Sequence, residues 1–241
     1  MALEYQIDGK EFARLIDEGI EDPSKRNLKH HNITVASKIP KLTVKKLNVK
    51  LMSLPTDEED AQSLKATPFD FEYATMEWLG FRYYGPGLYL PHSIFRDTNL
   101  ENANLGGWVL DGSDFTGSSL KGGYLKATSL KDAVLKGTIL RRANMIGTTL
   151  DGVDLDSADF YNALISGTSF CNEEGFSKPS YVANPAKNLH LVRNLYHATI
   201  DNPILHPNQV ETWKITSRNG DESKLQVLGR YNAFREVQSK P

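Results

Sequence analysis

From Phe95 to Phe170 every fifth residue is large and apolar: Phe95, Leu100, Leu105, Leu110, Phe115, Leu120, Leu125, Leu130, Leu135, Leu140, Met145, Leu150, Leu155, Phe160, Ile165, Phe170. Neither an α-helix nor a flat strand has this period. If the large residue is called i, position i−2 is small or β-branched in every unit except at Trp108. Two residues apart on an extended segment, i−2 and i point the same way. Position i+2 is Gly at 107, 112, 117, 122, 137, 147, 152 and 167, and Asp97, Asn102, Asp132, Asn162 and Asn172 add turn-tolerant residues there. Such residues accept the positive φ of a type II corner. Each pentad thus predicts a short extended side and a corner, with one small and one large residue facing inward. Units of fixed period bury their apolar faces only by stacking.

Segments such as Ala103-Asn104-Leu105, Ala143-Asn144-Met145 and Ala158-Asp159-Phe160 resemble the A(D/N)LXX units of the pentapeptide-repeat family. The resemblance covers residues 93–172. It implies a mainly β fold, a right-handed quadrilateral β-helix of about four coils with four pentads to a coil. Residues 20 apart then share a face, which gives inward columns such as Phe95/Phe115/Leu135/Leu155 and Leu110/Leu130/Leu150/Phe170. Trp108, a large ring in a layer of small residues, is expected to plug one end.

The flanks lack this rhythm, so the chain divides into an α+β capping domain (1–92), the repeat (93–172) and a helix-plus-hairpin capping region (173–241). Asp8 with Glu11, followed by Phe12, Leu15 and Ile16, predicts a helix over 9–18 that stops at Gly19. Leu42, Val44, Leu47, Val49 and Leu51 fit strands with a bulge or a helix, and the Val and Thr content favours strands. Thr56 with Glu59 reads as a second capping box. Phe69, Phe71 and Tyr73 alternate with acids as one strand face. The aromatic block around them supplies a candidate interaction surface: Trp78, Phe81, Tyr83, Tyr84 and Tyr89. Beyond the repeat, Asn184-Pro185 starts an expected helix over 185–199, and Asn219-Gly220 marks a hairpin.

Charge adds detail rather than direction. The whole chain is nearly neutral, at −2, so no global field draws it to nucleic acid. Residues 24–56 hold no acid and many lysines, which fits a patch for nucleic acid or anionic lipid as well as an ordinary solvated face. Lys121, Lys126, Lys131, Lys136 and Arg141 hold successive i+1 positions and form a candidate basic belt around the repeat. Asp151, Asp154, Asp156 and Asp159 crowd in sequence, yet the pentad geometry spreads them over three sides. The single cysteine, Cys171, suits a reducing compartment.

The chain carries no nucleophile elbow, phosphate loop or metal-ligand spacing. The expectation is accordingly no catalytic residue, no cofactor and no metal. It is a non-catalytic bacterial scaffold, cytoplasmic, without a membrane span or direct contact to nucleic acid, whose partner is another protein. Self-association as a homodimer stays open. Three alternatives are also left standing: a DNA-mimic modulator of type II topoisomerase, as some family members resemble duplex DNA; a secreted effector; and an enzyme whose activity sits in a flank. Residues 93–172 carry seven basic and nine acidic residues, which is little acid for a DNA mimic.

Overall fold

The computed structural model of the 241-residue chain describes residues 9–29, 31, 33, 41–57, 59–76, 79, 87–171, 185–201 and 205. Its regular elements are few: helices α1 (Gly9–Glu21) and α2 (Lys41–Met52), three short 3-10 turns, and strands β1 (Leu164–Ser166) and β2 (Thr199–Asp201). This corrects the expected fold class. The described residues do not form the right-handed quadrilateral β-helix of a mainly β protein; they hold two short helices and one open, two-stranded parallel sheet. The cause lies in the pentad itself. With a corner every five residues, most sides pair through a single residue and never grow into a strand.

Those single-residue parallel bridges recur at a spacing of 20. Ile94, Asp114, Val134 and Asp154 form one series, and Asn99, Ser119, Ile139 and Asp159 a second. Asn104, Tyr124, Asn144 and Leu164 make a third, and Tyr89, Val109, Ser129, Thr149 and Ser169 a fourth. Between them the large residues are sealed: all sixteen of the i positions are at most 1% exposed. The corner at i+2 is left-handed in every described unit, including Ala127, Arg142 and Ser157, which the composition of that position did not mark.

Two side-chain devices explain the sequence consensus. Asp or Asn at i−1 accepts a hydrogen bond from the backbone N–H two residues on, as in Asn104 to Gly106 (3.0 Å), Asp114 to Thr116 (2.9 Å) and Asn144 to Ile146 (3.2 Å). This is the Asx turn that prepares the corner. Threonine at i−2 donates inward instead. Thr128, Thr138 and Thr148 each give Oγ1 to the carbonyl 23 residues earlier, at 2.8 Å. Buried hydroxyls are thereby satisfied, as burial requires.

Stacking begins before residue 93. Asp70 bridges Ile94, Thr75 bridges Asn99, and Asn27 bridges Asp70 in turn. Phe71 lies on Phe95 (ring centroids 4.9 Å) and Phe95 on Phe115 (4.7 Å), and Phe12 of α1 closes the ladder against Phe71 at 6.3 Å. Tyr73, expected on a strand face with Phe69 and Phe71, is instead a half-exposed corner at φ 58°. Trp108 is buried, but it does not sit at an end, because Leu88 and Tyr89 pair with the segment around it.

The flanks hold further corrections. The segment read as strands over 42–51 is helix α2: Val44, Leu47 and Leu51 are buried at helical spacing, and packing overrides β propensity. Helix α1 runs through Gly19 rather than stopping there. A Cβ at Gly19 would come within 2.4 Å of the Phe69 ring, so glycine serves close approach. Among the described residues no helix follows Thr56 directly. Asp57, Asp60 and Ser63 bond the backbone two residues on, and these turns displace the helix. The helix expected over 185–199 is replaced by Leu189–Leu191 and Leu195–His197 in 3-10 turns and by β2. Here the chain continues the stack with a period of six. Lys187 bridges Asp154 and Arg193 bridges Asp159, while Asn188 and Asn194 take the left-handed corners. The expected hairpin at Asn219-Gly220 lies outside the described residues.

Candidate interaction surface

Since i−2 and i face inward, the stack shows the solvent only its i−1 and i+1 side chains and its corners. Each side therefore presents two columns, whose charges can be read circuit by circuit. On the first side Arg96 pairs with Asp114 at 2.6 Å and Lys136 with Asp156 at 3.3 Å. On the second, Lys121 pairs with Glu101 at 3.3 Å and Arg141 with Asp159 at 2.7 Å. On the fourth, Asp111 accepts from Ser129 Oγ (2.6 Å) and from the Lys131 backbone N–H (3.0 Å), while Asp151 accepts from Ser169 Oγ (2.6 Å).

The third side differs. Its outward positions are Asn104, Gly106, Tyr124, Lys126, Asn144, Ile146, Leu164 and Ser166, with Lys126 the only charge. Tyr124, Asn144, Ile146 and Leu164 are half-buried and Lys126 is exposed. Gly106 makes room for the tyrosine: a Cβ there would stand 2.8 Å from the Tyr124 ring. The side is low in charge and centred on one aromatic ring. Interface cores share that character, with charge depleted and aromatics enriched.

Two buried carboxylates show opposite electrostatics. Asp159 is 1% exposed. Burial pushes its carboxyl up, but hydrogen bonds from Asn194, Arg141 and the Tyr161 N–H outweigh this and hold it below the usual range. Asp151 is 4% exposed, and burial pushes it up. Ser169 and Lys131 oppose that shift, while Asp132 and Asp111 add to it. The four aspartates that crowd in sequence have separate partners: Asp151 has Ser169, Asp154 has Asn188, Asp156 has Lys136 and Asp159 has Arg141.

Of the aromatic residues singled out in sequence, Trp78, Phe81, Tyr83 and Tyr84 lie outside the described residues. Tyr89 is half-buried, and its backbone N–H donates to Asn48 Oδ1 of α2 at 3.0 Å, while Asn48 Nδ2 donates to the Gly87 carbonyl. One helix side chain thus occupies the backbone edge of this segment. The basic belt is divided among four sides: Lys121 and Arg141 on the second, Lys126 on the third, Lys131 on the fourth and Lys136 on the first. A groove of about 440 Å³ between α1 and α2 is bordered by Arg14 and Lys50. Their charges are taken up by Glu11 and Glu18, and by Asp17 and Glu21, respectively.

Comparison with known proteins bears on the repeat. The family model described as pentapeptide repeats matches residues 93–132 and 128–167. No curated protein matches the chain. Among solved structures it is similar to HetL, a pentapeptide repeat protein involved in heterocyst differentiation regulation from the cyanobacterium Nostoc sp. strain PCC 7120 (29% identity, 42% of this chain and 39% of HetL, TM-score 0.35). It is also similar to a pentapeptide repeat protein of the Arabidopsis thaliana thylakoid lumen (16% identity, 55% and 83%, TM-score 0.28). A third is QnrB1, a plasmid-mediated fluoroquinolone resistance protein (14% identity, 61% and 81%, TM-score 0.27). The chain spans about two fifths of the length of HetL.

Proposed function

This chain belongs to the pentapeptide-repeat family, and from that premise we propose that it is a non-catalytic interaction protein that docks a protein partner on the third side of its stack. The observation that carries the reading is the contrast between sides. On the first and second sides Arg96, Lys121, Lys136 and Arg141 are held in ion pairs, whereas the third offers Tyr124, Ile146 and Leu164 among amides with Lys126, which makes no ion pair among the described residues. Buried polar side chains of the described residues all have partners, so the interior is committed to packing. The test is affinity capture with the full chain, comparing wild type with Tyr124→Asp/Ile146→Asp and with Lys136→Ala on the first side. The reading expects a partner lost with the double variant and kept with Lys136→Ala. A partner kept by both removes it.

A second reading, a DNA-mimic modulator of type II topoisomerase, is favoured by one observation: Asp154, Asp156 and Asp159 follow each other on adjoining sides of one circuit. Against it, Asp156 and Asp159 are neutralised by Lys136 and Arg141. A gyrase supercoiling assay with a fluoroquinolone separates the two. Relief of inhibition by the wild-type chain supports mimicry, and its absence leaves the protein-docking reading alone.

A further inference from the structure

Helix α2 has one face that the stack does not explain. Its inner face is fully used: Val44, Leu47 and Leu51 are buried, Asn48 holds the 87–89 backbone, and Lys50 pairs with Asp17 and Glu21. Turned away from the buried residues are Val49, 71% exposed, and Met52, 67% exposed, beside exposed Lys45 and Lys46, the last of which also borders the groove between α1 and α2. Val49 and Met52 are the most exposed large apolar residues described anywhere in the chain. The helix carries four lysines and no acid, within an acid-free stretch over residues 24–56. Lys45 and Lys46 make no ion pair among the described residues.

We infer that this outer face of α2 docks on an anionic membrane surface, with Val49 and Met52 entering the headgroup boundary and Lys45 and Lys46 facing acidic lipid. This goes beyond the protein-docking reading and does not depend on it. The charge of the face selects an anionic occupant. A second copy of the same face would set lysine against lysine. An acidic protein fits less well, because protein interface cores are enriched in aromatics, Met and Arg and depleted in Lys, and of the enriched types this face offers only Met52. This face has neither aromatic nor Arg. Exposed aliphatic side chains flanked by lysines instead suit the boundary of an anionic bilayer, where each lysine near the surface adds attraction. Among the described residues no helix is long and apolar enough to cross a membrane, so the contact is a surface one.

The experiment is co-sedimentation of the full chain with vesicles of mixed phosphatidylserine and phosphatidylcholine, and with vesicles of phosphatidylcholine alone. Wild type is expected to sediment with the anionic vesicles only, and less as salt rises. Lys45→Glu/Lys46→Glu lowers the partition coefficient by about fivefold or more for each lysine lost. Val49→Ser/Met52→Ser lowers it with charge intact, which separates insertion from plain electrostatics. All four side chains are outside the core, so thermal melts should match wild type. Tyr124→Asp/Ile146→Asp is expected to bind vesicles as wild type does, so failure of the protein-docking reading leaves this test intact. The inference is overturned if wild type ignores anionic vesicles, binds neutral ones equally, or keeps its affinity in both α2 variants.

Discussion

Replacing Arg26 with Met tests how the N-terminal flank is fastened to the stack. Arg26 is 1% exposed, and among the described residues no carboxylate is its partner. Its guanidinium donates to four backbone carbonyls: Gly19 at 2.6 Å, Gln62 at 2.9 Å, Ser63 at 3.0 Å and Thr67 at 2.5 Å. It also lies 5.5 Å from the Phe69 ring centroid. One side chain thus ties the last turns of α1 to the 60–67 turns and to the first aromatic layer. Methionine keeps the apolar stem but none of the donors. Gln62 and Thr67 are near enough to solvent to recover water, whereas Gly19 and Ser63 are buried. Two stranded acceptors at about 1–3 kcal/mol each, with the lost cation–ring contact near 1 kcal/mol, give a cost of about 3–7 kcal/mol. The loss should be local, because stacked units depend chiefly on their neighbours. Hydrogen exchange read by mass spectrometry should show faster exchange in 9–21 and 60–67 with protection over 110–160 unchanged. Arg26→Lys, a point charge without the planar fork, should fall between the two. A methionine variant within about 1 kcal/mol of wild type, with α1 still protected, would refute the reasoning.

Three further predictions follow from the same geometry. Asp151 has a raised carboxyl, so the folded state binds its proton more tightly than the unfolded state does. Stability from this group is present below the ordinary carboxylate range and is lost as pH rises through the folded value; Asp151→Asn should therefore raise the melting temperature at neutral pH. Asp159 runs the other way: its lowered carboxyl contributes stability above about pH 4 that disappears as pH falls through the folded value. Asp159→Asn should cost roughly 1–3 kcal/mol at pH 7 and flatten the acid limb of a pH-dependent melt. Among glycines, a Cβ at Gly87 would lie 2.2 Å from the Gly107 backbone, while one at Gly137 meets nothing within 4 Å. Gly87→Ala should thus destabilise by several times the ~1 kcal/mol of left-handed strain expected for Gly137→Ala, as denaturant midpoints would show.

What the sequence disclosed depended on how local its causes were. The pentad needs only neighbours, so the inward pair and the left-handed corners were readable, whereas the spacing of 20 came only with the family resemblance. Helix α2 was hidden because Val44, Leu47 and Leu51 satisfy two periods, and the docking against α1 that decides between them is not local. The C-terminal continuation was hidden by a change of beat. Ala186, Leu189, Val192, Leu195 and Ala198 are buried every third residue, which imitates a helix until Lys187-Asn188-Leu189 and Arg193-Asn194-Leu195 are aligned six apart. The basic belt was visible as a run of positions, and stacking residues 20 apart already sets Lys121 over Glu101; the Arg141–Asp159 pair, 18 apart, is not legible that way. The third side has no contiguous motif at all. It emerges only when Tyr124, Asn144 and Leu164 are laid over one another.

The most direct test of the central claim is the dissociation constant of a captured partner for the intact chain and for Tyr124→Asp/Ile146→Asp. The docking account predicts that the paired substitution weakens binding by about thirtyfold or more, the size of an interface hot spot, and that Lys136→Ala changes it by less than about threefold. Equal affinity for wild type and the third-side variant, or an equal loss in Lys136→Ala, would contradict it.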